Sequence, residues 1–283
     1  IYQYLTQDLE DSTDPVLLND VARCLSYRYH PMIVAVECSD TDTISKLFSE
    51  LGMKMECVSN FNHPITIACN NEDLSAIEKI YEHDKQYILD HAISSLDIVV
   101  KNECYEITNY FLSNSDIVSR VLQEDRDFIY GIIQKFAEED KVDFIKKIMR
   151  ADNLFEQDFI IDIFLTAISE GSIEVAEYLF NDIIDINNLG IKPFMVAIEN
   201  NRINSLDFLC QDYVKHINID EVDQNNMSAL LFATYKHDVQ MIEKLYHSGA
   251  DINIQNDQGE TSLIVALYMN HTECATKLME LGA

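Results

Sequence analysis

Polar and apolar positions recur in one order over most of this chain. The stretch Asp251 to Ala283 shows it most cleanly. An Asn/Asp-rich turn ends at Gly259, Thr261 stands where a helix N-cap belongs, and a short apolar helix runs to about Asn270. A second amphipathic helix is expected from Thr272 to Leu281, closed by Gly282 at the position after the helix. The order repeats 33 residues earlier: Ser228, Leu230, Ala233, Ile242, Leu245, Gly249 and Ala250 fall under Thr261, Leu263, Ala266, Ala275, Leu278, Gly282 and Ala283. A period of this size marks stacked helical pairs, a solenoid.

The same frame extends backwards. H-P-M-I-V-A ends at Ala35, H-P-I-T-I-A at Ala68, K-P-F-M-V-A at Ala197, S-A-L-L-F-A at Ala233 and T-S-L-I-V-A at Ala266. Three of the 4 prolines, Pro31, Pro64 and Pro193, share one place in this hexapeptide, at a helix start where a missing N–H costs nothing. Nine and twelve residues after each alanine come apolar positions of a second helix, for example Ile44 and Leu47, Ile77 and Ile80, Leu206 and Leu209. The rule also finds divergent repeats at Ala167, with Gly171 four residues on, and more weakly near Ile98 (Ile107, Tyr110) and Phe136 (Ile145, Ile148). About eight repeats result.

Each residue type has a physical task. The small alanine brings the first helix close to its neighbours, and the second-helix positions fill the layer between pairs. Gly190, Asn226 and Gly259 lie seven residues before their alanines, where a tight turn calls for positive φ. H-I-N-I-D (216–220) and D-I-N-I-Q (251–255) read as short extended fingers. Residues 112–126 and 210–226 are longer than the period needs. Residues 1–27 fall outside the repeat, and Asp14-Pro15 opens an amphipathic helix that we expect to cap the first pair. The chain opens on Ile1, and Leu281-Gly282-Ala283 lacks a cap's polar face, so further chain is expected beyond Ala283.

Charge sharpens the picture. Forty-nine acids against 20 bases give a net charge of −29, which argues against nucleic acid and anionic membrane surfaces as partners. It favours basic patches on other proteins, or serves solubility alone. No apolar run reaches 18 residues, so direct membrane insertion is not expected. The 7 cysteines are scattered with no C-x-x-C pair and read as reduced core residues of an intracellular protein. No nucleotide-binding glycine loop, nucleophile elbow or H-E-x-x-H is present, and no cofactor, metal or catalytic set is indicated. The acidic run Asp8 to Asp14 lacks the glycine and terminal glutamate of a calcium loop and reads as solvated linker.

The period, the proline, the alanine and the turn glycine together resemble the ankyrin repeat, whose T-P-L-H-x-A motif stands here as T-S-L-I-V-A and H-P-M-I-V-A. The resemblance covers residues 28–283, strongly over 28–83 and from 185 onward, weakly over about 84–160. It departs in one place: Ile33, Thr66, Met195, Leu231 and Ile264 stand where the family has histidine, while His30 and His63 take the threonine place. It implies an all-α solenoid of helix–turn–helix–hairpin units, with a divergent middle that could bend, and non-catalytic protein binding as a scaffold or adaptor. The alternative is a cytosolic module of a larger channel, enzyme or cytoskeletal protein.

In that family, partners meet the hairpin tips and the exposed side of the first helix, on a concave face. The matching positions here are Glu138, Glu139, Glu170 and Glu199, an acidic stretch, followed by Tyr235, Tyr268 and Met269, an aromatic and apolar end. Aromatic anchors ringed by charge are what interface hot spots use. The expected partner is a protein with a basic or amphipathic segment. The tips offer Tyr27, Tyr29, Asp158, Phe159, Leu189, Ile191, Asn225, Met227, Gln258 and Glu260.

Overall fold

Every described repeat turns from its first helix into its second through one hydrogen bond. The N–H of the residue five places after the anchor position donates to the anchor's carbonyl at 2.8–3.1 Å: Asp40 to Ala35, Asp73 to Ala68, Cys104 to Val99, Lys141 to Phe136, Ser172 to Ala167, Arg202 to Ala197, Asp238 to Ala233 and His271 to Ala266. The computed structural model describes residues 31–49, 63–149, 155–184 and 189–283. The expected N-terminal cap, His30 and the tip residues Tyr27 and Tyr29 lie outside them.

The chain divides into two compact units between Ile132 and Ile133. The first holds the pairs α1 (Pro31–Glu37) and α2 (Thr41–Ser49), α3 (Pro64–Asn70) and α4 (Leu74–His83), and α6 (Ala92–Lys101) and α7 (Tyr105–Ser113). Two further helices, α5 (Lys85–Asp90) and α8 (Ser115–Glu124), stand where hairpin fingers were expected. Each has its own cap: Asp84 accepts from the Tyr87 N–H at 3.1 Å, and Asn114 accepts from the Asp116 N–H at 3.1 Å. The long stretch 112–126 is thus mostly helix.

The unit boundary falls within α9 (Arg126–Glu138). The second unit continues with α10 (Val142–Met149), then the pairs α11 (Gln157–Glu170) and α12 (Ile173–Asp182), α13 (Lys192–Glu199) and α14 (Ile203–Gln211), α15 (Ala229–Tyr235) and α16 (Val239–His247), and α17 (Ser262–Tyr268) and α18 (Thr272–Leu281). First helices α11, α13, α15 and α17 pack one on the next, as do second helices α12, α14, α16 and α18. Among the described residues the structure is all-α, and each unit is built of stacked helical pairs as in an ankyrin-type solenoid. Its one β-bridge joins Val222 and Ser228.

The second-helix core positions are buried as expected: Ile44, Ile77, Ile80, Ile145, Ile148, Leu206, Leu209, Ile242, Leu245 and Leu278 are each at most 0% exposed. One register needs correcting. In the third repeat the turn places the anchor at Val99 rather than Ile98, so its core positions are Thr108, 1% exposed, and Phe111, 0% exposed. Ile107 is buried too, but Tyr110 is only half-buried, edge-on to Tyr81. A valine in the alanine's place hid this frame.

The residue four after each anchor has positive φ throughout: Ser39, Glu72, Glu103, Asp140, Gly171, Asn201, His237 and Asn270. Among these residues only Gly171 takes the conformation without a steric cost. Gly190, Asn226 and Gly259 adopt positive φ as expected. Thr261 and Ser228 cap their helices, accepting from the N–H groups of Ile264 and Leu231, whereas His63 makes no side-chain cap bond. The fingers are also less extended than expected. Each starts with a side-chain turn, the Asp220 N–H donating to Asn218 at 3.1 Å and the Asn253 N–H to Asp251 at 2.9 Å. These turns bury Ile219 and Ile252, each 7% exposed.

Candidate partner-binding face

The C-terminal ends of the first helices leave their last carbonyls without helical donors. In the second unit, side chains from the following repeat satisfy several of them. Ser172 Oγ donates to Glu138 O at 3.3 Å, Arg202 Nε to Ser169 O at 2.6 Å and Ser205 Oγ to Ile168 O at 2.7 Å. His271 Nδ1 lies 3.0 Å from Thr234 O, a contact that places the proton on Nδ1. The amide end of α12 is served across the same joint, with the Val175 N–H donating to Asp140 Oδ1 at 3.1 Å. The candidate binding residues sit on these stitched ends, two or three places after each anchor.

Their electrostatics differ from a bare acidic stretch. Glu170 pairs with Arg202 at 3.0 Å and Glu199 with Lys236 at 3.6 Å, each across a repeat joint. Glu139 pairs with Lys135 of its own helix at 3.7 Å. Glu138 is exposed and has no ion pair among the described residues. Three of the four acids therefore carry a cation, which the sequence hid because two of those cations lie more than 30 residues away.

The aromatic end is more open. Tyr235 is 49% exposed and Tyr268, at the same position of the next repeat, is 86% exposed. Ile264, 46% exposed, lies one turn before Tyr268 on α17, Leu267, 62% exposed, directly precedes Tyr268, and Met269 is half-buried. Apart from Tyr105, every large apolar side chain exposed among the described residues lies between Tyr235 and Met279. Position explains much of this. The residues matching Leu267 in the three preceding repeats, Thr234, Ile198 and Ile168, are at most 2% exposed because the next helical pair covers them. Of the expected tips, Asp158, Asn225 and Gln258 are exposed, while Leu189 and Ile191, each 4% exposed, are buried and offer nothing to a partner.

The ionisable groups shifted furthest are buried and neutral. Burial pushes the Cys69 thiol up to about 12 and the Cys274 thiol to about 11, so neither is a thiolate nucleophile near neutral pH. Among the described residues no group of three His, Cys, Asp or Glu is placed to hold a metal ion, and no helix is long and apolar enough to cross a membrane.

Residues 211–283 match the family model for ankyrin repeats in three copies. These residues are ankyrin repeats. Its array is 26% identical over 203 residues to the ankyrin repeat protein OPG025 of Monkeypox virus, a match covering 69% of this chain and 31% of that protein. It is 32% identical over 103 residues to alpha-latrotoxin-Lg1a of Latrodectus geometricus, covering 35% of the chain and 8% of the toxin. It is 27% identical over 146 residues to the human transient receptor potential cation channel subfamily A member 1, covering 49% of the chain and 12% of the channel. The array thus spans less than a third of the length of each of these relatives. Ankyrin repeats are a protein–protein interaction module, in general a non-catalytic one.

Proposed function

We propose that this ankyrin array, a repeat domain over 28–283 behind an N-terminal cap at 1–27, acts as a non-catalytic scaffold or adaptor inside the cell. It binds a partner protein along Glu138, Glu139, Glu170, Glu199, Tyr235, Tyr268 and Met269, together with the exposed hairpin tips. The observation that carries this reading is the repeated aromatic pair. Tyr235 and Tyr268 sit at one repeat position on adjacent first helices, 49% and 86% exposed, and tyrosine is among the residue types in which interface hot spots are enriched. The partner segment is amphipathic, with an apolar stripe for the tyrosines and basic residues for Glu138 and the acid-rich surroundings. Affinity capture followed by quantitative mass spectrometry tests it, comparing the wild-type array with a Tyr235→Ala/Tyr268→Ala double variant. The reading requires a defined protein that the variant loses; an identical captured set contradicts it.

A second reading has its own observation. The likeness to a stretch covering 12% of a human cation channel fits an array that serves as a module of a larger channel, enzyme or cytoskeletal protein. The full-length coding sequence separates the two readings, since a membrane-spanning or catalytic domain in the same chain favours the second.

A further inference from the structure

The anchors Ala197 and Ala233 are 36 residues apart, three more than the regular spacing, and the surplus forms the 3-10 turn Tyr213–Lys215. Tyr213 is fully buried, packed between Phe180 and Phe194 at ring distances of 5.8 and 6.0 Å. Its hydroxyl donates to Gly190 O at 2.9 Å. The tyrosine is therefore a strut between the turn that opens the sixth repeat and the finger that precedes the seventh.

The next joint along is closed by direct bonds. Asn226 Nδ2 donates to Asp257 Oδ1, and the Asp251 N–H donates to Asp220 at 2.8 Å. At the strutted joint a cavity of about 820 Å³ stands instead. That is within the ~300–1,000 Å³ typical of ligand pockets. Met195, Ile217 and Val222 give it an apolar side, and Lys192, His216, Glu221 and Asp223, none of them in an ion pair among the described residues, give it a polar one. Asp223 is already engaged, accepting from the N–H groups of Asn225 at 2.8 Å and Met227 at 2.9 Å. The Glu221 carboxylate lies over Gly190, within 3.4–3.5 Å of where a Cβ would stand, so the glycine gives it room.

We propose that this cavity binds an extended peptide segment with an apolar side chain next to a lysine or arginine. The apolar side chain packs on Met195, Ile217 and Val222, and the basic group pairs with Glu221. Lys192 donates to a backbone carbonyl of the segment. The chain's net charge of −29 favours a basic segment over an acidic one. The proposal deepens the protein-binding reading and rests on it, but it uses a different surface from Tyr235 and Tyr268.

A phage-displayed library of random 12-residue peptides, selected on the full chain, tests it. Selected peptides should carry an apolar residue adjacent to Lys or Arg. Their synthetic forms should bind about tenfold more weakly to Glu221→Gln and to Ile217→Lys, as expected for losing one charged hydrogen bond or the apolar seat. Both variants must keep the wild-type melting curve, and Tyr268→Ala should bind these peptides normally. No enrichment, no basic residue in the selected set, or equal binding to wild type and Glu221→Gln overturns the cavity proposal. Loss of peptide binding in Tyr268→Ala overturns it as well, by placing the peptides on the aromatic face. Failure of the partner-capture experiment with normal peptide binding counts against the aromatic face alone.

Discussion

Arg202 ties its own repeat to the one before by donating from Nε to the carbonyl of Ser169 at 2.6 Å, while its terminal nitrogen pairs with Glu170 at 3.0 Å. The two contacts are unequal. The first satisfies a helix-end carbonyl with a charged donor, and the second joins two side chains that are each about two-fifths exposed. Arg202→Ala should therefore cost about 1–2 kcal/mol, and Glu170→Gln only a few tenths. Urea midpoints of the two variants check this; equal losses would mean that the ion pair, not the carbonyl, holds the joint.

The positive φ four residues after each anchor makes a second prediction. Glu103 has φ of 57° and Gly171 has φ of 83° at equivalent places. A left-handed non-glycine residue costs about 1–2 kcal/mol, and a glycine's greater unfolded-state freedom returns part of that. Glu103→Gly should be neutral to stabilising by about 0.5 kcal/mol, and Gly171→Ala should lose about 1 kcal/mol. The Ala side chain meets nothing nearer than Arg202 Cδ at 3.8 Å, so any loss is conformational rather than steric. Thermal melts of both variants decide.

The register of the third repeat is testable by truncation. Phe111 is 0% exposed, and Phe111→Ala should cost about 3–5 kcal/mol. Tyr110 is half-buried, so Tyr110→Ala should cost clearly less. The reverse order would restore the frame anchored on Ile98.

His63, Tyr87 and His91 form one ring cluster, with centroids 4.3 Å apart for the two histidines and 4.4 Å for Tyr87 and His91. Desolvation, and then the neighbouring His91, hold the His63 pKa below its ordinary value. The folded state then binds fewer protons than the unfolded chain, so the stability tied to His63 is present above its ordinary pKa and falls as pH drops through about 6.5. Between pH 7.5 and 5.5 the wild-type melting temperature should fall more than that of His63→Gln. Parallel curves would remove the cluster from the pH response.

Much of the solenoid was legible because its signals are local. The proline at helix starts, the alanine anchor, the apolar residues nine and twelve places on, and Gly190, Asn226, Gly259 and Gly282 at turns all behave as their chemistry requires. At Val99, in the alanine's place, the frame slipped by one, whereas at Phe136 it held. The helices α5 and α8 were missed because each stands in a finger's place and is set by its own cap, Asp84 or Asn114, and the surplus length at 112–126 did not say what filled it. The candidate face was legible as a set of positions but not as a charge pattern. Arg202 and Lys236 reach acids one repeat away, and no sequence window joins them. Nor did composition show the strut from Tyr213 to Gly190 O, which depends on a loop surplus of three residues.

The claim that the first-helix ends of the second unit are the binding face is tested most directly by placement of a photocrosslinker. A benzophenone amino acid replaces Tyr235, Tyr268 or, as a control, the exposed Gln240 on the second helix α16. Irradiation in cells should give the same protein adduct from positions 235 and 268 and none from 240. Adducts from 240 alone, or unrelated adducts from 235 and 268, would contradict the account.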